Sequence, residues 1–199
     1  MKAFRRVDAH AKLNLGLKIL RRRPDGYHEI LSVMQTVDLS DHLRFEEIEL
    51  GQIEIVCADP AVPAGPENLV HRAVEAFRKK TRIPRGVRVF LEKGIPVGAG
   101  LGGGSADAAA VLRVLNETCG TGLSDAQLGK ISFEIGSDVG FSIRSGTAVA
   151  SGRGEILRYV PWTNQVQYIL VHPPISVSTD WAYRQASKRL SLPLTVRSN

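Results

Sequence analysis

The stretch PVGAGLGGGSADAA, residues 96–109, places five glycines and one serine between a strand-like segment and a helix-like segment. Val87, Val89 and Leu91 alternate before the stretch, and residues 106–117 follow it with the pattern of a helix. Glycine has no Cβ, so a ligand can come within hydrogen-bonding distance of its backbone amide. The stretch therefore predicts a loop that contacts a ligand and leads into the N-terminus of a helix.

A loop in this position favours an anionic ligand, because unpaired N–H groups and a dipole of about half a positive charge meet at a helix N-terminus. Phosphate is the natural ligand of such a site. Ser105 lies where the predicted helix begins. Its side chain either caps the helix or reaches a magnesium ion bound to the phosphate.

Two well-known phosphate-binding loops do not fit this stretch. A Walker loop requires a lysine before its final serine, and here Gly104 directly precedes Ser105. Three of the glycines have the spacing of a dinucleotide-binding fingerprint, but that motif needs a second parallel strand after the helix. Residues 124–135 instead predict another helix, which begins with a capping box at Ser124 and Gln127.

Composition narrows the class of protein. A chain of 199 residues with 43% hydrophobic residues predicts one globular domain, or one domain and part of another. The net charge of +6 suits a polyanionic substrate or a nucleic acid and does not choose between them. Cys57 and Cys119 are too far apart for a metal cluster, so we expect reduced thiols. No signal peptide and no run of membrane-spanning length is found, and we expect a cytoplasmic protein.

The remaining pattern predicts an α+β fold. Alternating leucines at residues 13–19 predict a strand with a buried apolar face and a polar face that carries Lys12 and Asn14. A turn at residues 23–26 leads to a returning strand at residues 30–39. Further strands are predicted at residues 43–49, 53–57, 146–150 and 168–171, and a helix at residues 68–80.

Four separated motifs resemble those of the GHMP kinases. They are AKLNLGL at residues 11–17, RRPDGYHEI at residues 22–30, the glycine-rich stretch, and IGSDVGF at residues 135–141. The resemblance implies a domain like domain 2 of ribosomal protein S5 over residues 1–160. It also implies that residues 161–199 begin a C-terminal domain, which is truncated because family members continue beyond Asn199.

The PDGYHE turn is similar to that of the branch of the family that acts on 4-diphosphocytidyl-2-C-methyl-D-erythritol in the non-mevalonate route to isoprenoids. The implied reaction transfers the γ-phosphate of ATP to a hydroxyl of that substrate, with Mg²⁺. Lys12 and Asp138 match the catalytic pair, in which a carboxylate accepts the proton of the hydroxyl and a lysine stabilises the alkoxide. The positions that match the substrate site are Asn14, Tyr27, His28 and Tyr183. The positions that match the ATP site are Pro96, Val97, Gly98, Ala99, Gly100, Leu101, Gly102, Gly103, Gly104, Ser105, Ala106 and Asn68.

Structural interpretations of these residues stay open at this point. Lys12 fits a solvated strand face, Asp138 fits a turn, and Asn68 fits a helix N-cap as well as a contact to adenine. Two other functions also remain: a GHMP kinase with another small substrate, or a truncated module that binds a nucleotide or a nucleic acid without turnover. The kinase interpretation predicts a small-molecule substrate, no nucleic-acid partner and no membrane partner.

Overall fold

The computed structural model describes residues 3–162, 166–173, 177 and 179–190. Six strands form one sheet, and helices pack against it. The strands are β1 (Ala3–Arg22), β2 (His28–Ile48), β3 (Ile53–Cys57), β4 (Gly86–Glu92), β5 (Thr147–Gly152) and β6 (Ile156–Tyr159). The helices are α1 (Leu69–Thr81), α2 (Gly103–Thr118), α3 (Asp125–Phe133), α4 (Val139–Arg144) and α5 (Thr179–Leu190). This mixed architecture confirms the predicted α+β class.

Strand β2 organises the sheet. Its whole length pairs with β1, while its second half pairs with β4 and its first half pairs with β5. All these ladders are antiparallel, and among the described strands only β3 and β4 run parallel. The prediction of two separate strands at residues 30–39 and 43–49 is wrong, because β1 pairs continuously across residues 40–42 and holds β2 as one strand.

The prediction that the alternating leucines of β1 form a buried face is also wrong. Leu15 and Leu17 are 40% and 48% exposed, whereas Lys12 is buried. The ladder with β2 shifts register between His10 and Lys12 and again between Asn14 and Gly16. Each such irregularity changes the direction of the following side chains, so simple alternation does not predict which face is buried.

The main core lies between the sheet and helices α1 to α4. Helix α2 is central, and alanines dominate the side that it buries, at positions 106 and 108–110. Phe45 of β2 and Phe77 of α1 are fully buried against this core. Because the alanines are small, α2 lies close to the sheet, and the loop before it lies close to β1.

Two element predictions near the end of the described region differ from the structure. Residues 168–171 are not in a strand, and Ile169 is 94% exposed. Apolar alternation alone does not make a strand, because a strand needs a partner for its backbone groups, and no described strand pairs with this segment. Strand β6 was not predicted. No helix in the described parts of the chain is long and apolar enough to cross a membrane.

Candidate active site

The glycine-rich loop joins β4 to α2 and is tied to the first strand. The backbone N–H of Lys12 donates to the carbonyl of Leu101 over 2.9 Å. Gly102 occupies the N-cap position of α2 and offers no side-chain cap, so the first amides of the helix remain available to an anion. Ser105 lies inside the first turn. The interpretation of Ser105 as the N-cap is therefore wrong, and its hydroxyl lies on the cleft described below.

Two glycines at this junction are required by close approach. Gly102 has a φ of +74°, and a Cβ there would lie 2.9 Å from Cγ of Lys12. A Cβ at Gly103 would lie 3.1 Å from Cγ2 of Ile95 and 3.2 Å from Oδ2 of Asp41. A side chain at Gly102 would clash with Lys12, and one at Gly103 would require Ile95 or Asp41 to shift by a few tenths of an ångström.

Lys12 and Asp138 form an ion pair beside this loop. Nζ of Lys12 lies 3.1 Å from Oδ2 of Asp138, with the lysine side chain 6% exposed and the aspartate side chain 36% exposed. Asp138 precedes α4, but its carboxylate makes no capping hydrogen bond to that helix. The carboxylate therefore faces a buried cation on one side and solvent on the other, where a substrate has access to it.

One cleft of about 1230 Å³ contains most of the predicted site residues. The loop and the ion pair form part of its wall, and the turn after β1 forms another part. The predicted residues that line it are Lys12, Asn14, Tyr27, His28, Gly98, Gly100, Gly102, Gly103, Gly104, Ser105, Asp138 and Tyr183. The tertiary structure thus gathers the residues of all four motifs and of α5 around one space.

Tyr27, His28, Tyr183 and Arg153 line one part of the cleft, its aromatic end. The rings of His28 and Tyr183 stack with centroids 5.1 Å apart. The guanidinium of Arg153 lies 3.4 Å from the ring centroid of Tyr27 and also lines the cleft. Arg153 follows β5 and belongs to no motif, so sequence reasoning missed it. Burial and, second, the charge of Asp138 raise the pKa of Tyr183.

Asn68 is the N-cap of α1. Its Oδ1 accepts a hydrogen bond from the amide of Val70 at 2.8 Å, and its Nδ2 donates to the carbonyl of Pro63 at 2.6 Å. Asn68 also borders a second cavity, of about 200 Å³, together with Pro96, Val97, Ala99 and Leu101. The helix-cap interpretation is confirmed, and the contact to adenine stays a prediction. Ala106 is buried within α2 and lines neither of these two cavities.

The oxygens of the cleft fit a magnesium ion that arrives with a nucleotide. Ser105 offers a hydroxyl and Asp138 a carboxylate, and Mg²⁺ takes such ligands together with phosphate oxygens and water. No group of three or more acidic, histidine or cysteine side chains suited to a metal occurs in the described part of the chain. The phosphates would therefore supply a large share of the ligands.

Comparison with known proteins agrees with this geometry. Residues 68–154 match the family of GHMP kinases N terminal domains. The chain is 47% identical over 176 residues to the 4-diphosphocytidyl-2-C-methyl-D-erythritol kinase of Pelotomaculum thermopropionicum, covering 88% of this chain and 61% of that protein. The enzyme of the same name from Enterococcus faecalis is 45% identical over 175 residues, covering 88% of this chain and 62% of that protein.

Solved structures show the same fold. A crystal structure of 4-(cytidine 5'-diphospho)-2C-methyl-D-erythritol kinase superimposes with a TM-score of 0.65 at 38% identity, over 78% of this chain and 55% of that one. Homoserine kinase from Cytophaga hutchinsonii gives a TM-score of 0.62 at 18% identity, over 90% of this chain and 58% of that one, which supports the fold alone. The chain spans about three fifths of the length of the curated relatives it matches. Residues 68–154 of this chain thus belong to the family of GHMP kinases N terminal domains.

Proposed function

We propose that this chain transfers the γ-phosphate of ATP to a hydroxyl of 4-diphosphocytidyl-2-C-methyl-D-erythritol, a step in isoprenoid precursor synthesis. The observation that carries the proposal is the ion pair of Lys12 and Asp138, which lies between the glycine-rich loop and the aromatic end of one cleft. The names of the relatives support the choice of substrate. The division into a nucleotide-binding domain over residues 1–160 and the start of a second domain stays a prediction.

In the proposed reaction, the carboxylate of Asp138 accepts the proton of the substrate hydroxyl. The hydroxyl oxygen then bonds to the γ-phosphorus while the bond from that phosphorus to the β-phosphate bridging oxygen breaks, and ADP leaves. The nearby ammonium of Lys12 stabilises the developing negative charge on the hydroxyl oxygen. Because the lysine is buried, water screens its charge little, which strengthens this effect.

The glycine-rich loop would hold the triphosphate. Gly103, Gly104 and Ser105 line the cleft, and the uncapped amides of this first turn of α2 would donate to phosphate oxygens. Magnesium, when bound, would neutralise charge on the β- and γ-phosphates. Ser105 is the residue that we propose as its protein ligand, while the carboxylate of Asp138 stays available to the substrate hydroxyl.

The aromatic end would hold the cytidine diphosphate part of the substrate. Two van der Waals gaps of about 3.5 Å each are needed to place a base between two rings. The rings of His28 and Tyr183 lie only 5.1 Å apart. Cytosine would therefore stack on an outer face of this pair, or the pair would open as the base enters.

Mass spectrometry of the chain incubated with Mg-ATP and 4-diphosphocytidyl-2-C-methyl-D-erythritol tests the proposal. We expect a product heavier by one phosphate, and a rate that falls by about 100-fold or more in Asp138→Asn, as for loss of a general base. Asp125→Asn is the matched control, because Asp125 lies exposed in the first turn of α3. No product with this substrate, but product with homoserine, mevalonate or galactose, would assign another GHMP kinase reaction.

A chain that forms no product with any of these substrates would refute its proposed activity. Titration of ATP and of a duplex oligonucleotide at rising salt would then separate the remaining functions. Binding to nucleic acid weakens steeply with salt because each neutralised phosphate releases counterions. A nucleotide site instead depends on magnesium and on the glycine-rich loop.

A further inference from the structure

A buried charge cluster lies beside the glycine-rich loop, outside the large cleft, and two of its members, Lys93 and Asp107, border the second cavity. Nζ of Lys93 lies 2.5 Å from Oδ2 of Asp41 and 2.7 Å from Oδ2 of Asp107. The side chains of Lys93, Asp41 and Asp107 are 8%, 0% and 3% exposed. Asp41 belongs to β2, Lys93 follows β4, and Asp107 belongs to α2. The cluster therefore links the three elements that surround the loop.

Asp41 also holds the first residues of the loop directly. Its Oδ1 accepts hydrogen bonds from the backbone amides of Gly94 and Ile95, each at 2.8 Å. Its Oδ2 would lie only 3.2 Å from a Cβ at Gly103, the first residue of α2. The two ends of the loop thus meet at one carboxylate.

The two aspartates of the cluster are not equivalent. Asp41 accepts three hydrogen bonds, from one ammonium and two amides. Asp107 accepts one from Lys93, and its Oδ1 has no partner among the described residues. Burial raises the pKa of Asp107 to about 7. A neutral group at position 107 is therefore compatible with the site, whereas the carboxylate of Asp41 is required by its three donors.

We propose that Asp41 is a positioning residue that sets the conformation of the glycine-rich loop for phosphate binding, through the amides of Gly94 and Ile95 and the ammonium of Lys93. Asp107 is a second anchor for Lys93 and, with Lys93, borders the cavity that Asn68 also lines. This inference rests on the proposed function only for the identity of the ligand. The hydrogen bonds that hold the loop exist without it.

Asp41→Asn and Asp107→Asn form a matched pair, because each keeps the shape of the side chain and replaces one of the two buried carboxyl groups beside Lys93. In Asp41→Asn, however, an amide group faces three donors and leaves at least one of them without an acceptor. We expect the dissociation constant for Mg-ATP to rise about tenfold or more in Asp41→Asn and less than about threefold in Asp107→Asn. Val74→Ala, at a buried position of α1, lowers stability but leaves the cluster intact. It therefore controls for an effect of lowered stability on ATP binding.

Amide hydrogen exchange in the ligand-free protein gives a second measurement that needs no nucleotide. We expect slow exchange at Gly94 and Ile95 in the wild type and in Asp107→Asn, and faster exchange at both in Asp41→Asn. The amides of Gly98 and Gly100, further along the loop, are the internal reference. Equal losses of affinity in the two Asn variants, or unchanged affinity in Asp41→Asn, would overturn the proposal.

The two measurements also separate this inference from the proposed function. A wild-type chain that binds no ATP refutes the nucleotide site, while exchange at Gly94 and Ile95 still decides whether Asp41 holds the loop. If Asp41→Asn does not fold, the wild type and Asp107→Asn remain informative. Exchange at Gly94 and Ile95 as fast as at Gly98 and Gly100 would then overturn the role of Asp41.

Discussion

The ammonium nitrogen of Lys12 lies 3.1 Å from Oδ2 of Asp138, and this contact joins the first strand to the turn before α4. The lysine is almost fully buried, while about a third of the aspartate side chain is exposed. A buried ammonium is costly without an anionic partner, so the pair fixes the orientation of the carboxylate beside Lys12. The same contact is the basis of the proposed proton transfer.

Replacement of Lys12 by methionine tests the charge of this pair. Lys12→Met keeps most of the side-chain volume but removes the cation. We expect turnover to fall about 100-fold or more, because one preorganised stabilising group is lost, while ATP affinity changes much less. Lys18→Met, at an exposed position of the same strand, is the control in rate measurements. A variant Lys12→Met with normal turnover would remove Lys12 from the mechanism.

Gly102→Ala tests the close approach between the loop and β1. The substitution forces an alanine to a φ of +74° and places its Cβ 2.9 Å from Cγ of Lys12. Gly120→Ala carries a similar φ of +63° but meets no atom within 4 Å. Backbone strain alone costs about 1–2 kcal/mol in both variants. We expect urea denaturation to show a larger loss of unfolding free energy in Gly102→Ala than in Gly120→Ala. Equal losses in the two variants would contradict a tight contact with Lys12.

Tyr183→Ala tests the aromatic end of the cleft. Loss of a stacking ring costs about 1–3 kcal/mol per base, so we expect the affinity for cytidine diphosphate to fall about tenfold. Tyr183→Phe keeps the ring and should bind nearly as well as the wild type. The affinities are measured by titration calorimetry. Tyr168→Ala is the control, because Tyr168 is an exposed tyrosine that does not line the cleft. Unchanged binding in Tyr183→Ala would exclude this ring from the substrate site.

The two interpretations of Asn68 make different predictions. Loss of the N-cap in Asn68→Ala should lower the free energy of unfolding by about 1 kcal/mol, and Asn68→Ser should restore most of it, because serine also caps helices. We expect this pattern from the bond to the amide of Val70. The contact to adenine would be supported if Asn68→Ser weakens the free energy of ATP binding by more than it lowers the free energy of unfolding.

The titration of Asp107 predicts an unusual dependence of stability on pH. Its pKa is about 7 in the folded protein, against an ordinary value of 3.8, so the folded chain binds more protons between these values than the unfolded chain. The contribution of this group to the free energy of unfolding therefore falls as pH rises from about 4 to about 7. Asp107→Asn lacks this decline. We expect urea denaturation to show that the free energy of unfolding of the variant increases relative to that of the wild type as pH rises from about 4 to about 7. Parallel pH profiles of the two proteins would contradict a raised pKa of Asp107.

Local patterns predicted elements whose signals lie within a few residues. The capping box of α3 is present at Ser124 and Gln127, and β3 spans the predicted residues 53–57. Helix α2 was predicted from residue 106 and begins three residues earlier, because Gly103, Gly104 and Ser105 join its first turn. Glycine is a poor helix former in isolation, and here the packing of α2 against the sheet outweighs that preference.

Other features depend on which segments meet. The burial of Lys12 and the exposure of Leu15 result from register shifts in the ladder with β2, which alternation within β1 does not reveal. Arg153 reaches the ring of Tyr27 only because β5 pairs with β2. The cluster of Asp41, Lys93 and Asp107 likewise comes from three separate elements.

The sequence by itself determined the α+β class, the glycine-rich loop at a helix N-terminus and the four motifs of the cleft, because glycine spacing, caps and periodicity act over short distances. Only the tertiary structure decided which side chains are buried, which charges are paired and what holds the loop from behind. Those outcomes depend on strand register and on packing between distant segments. Their energies arise from burial and charge pairing that no single segment contains.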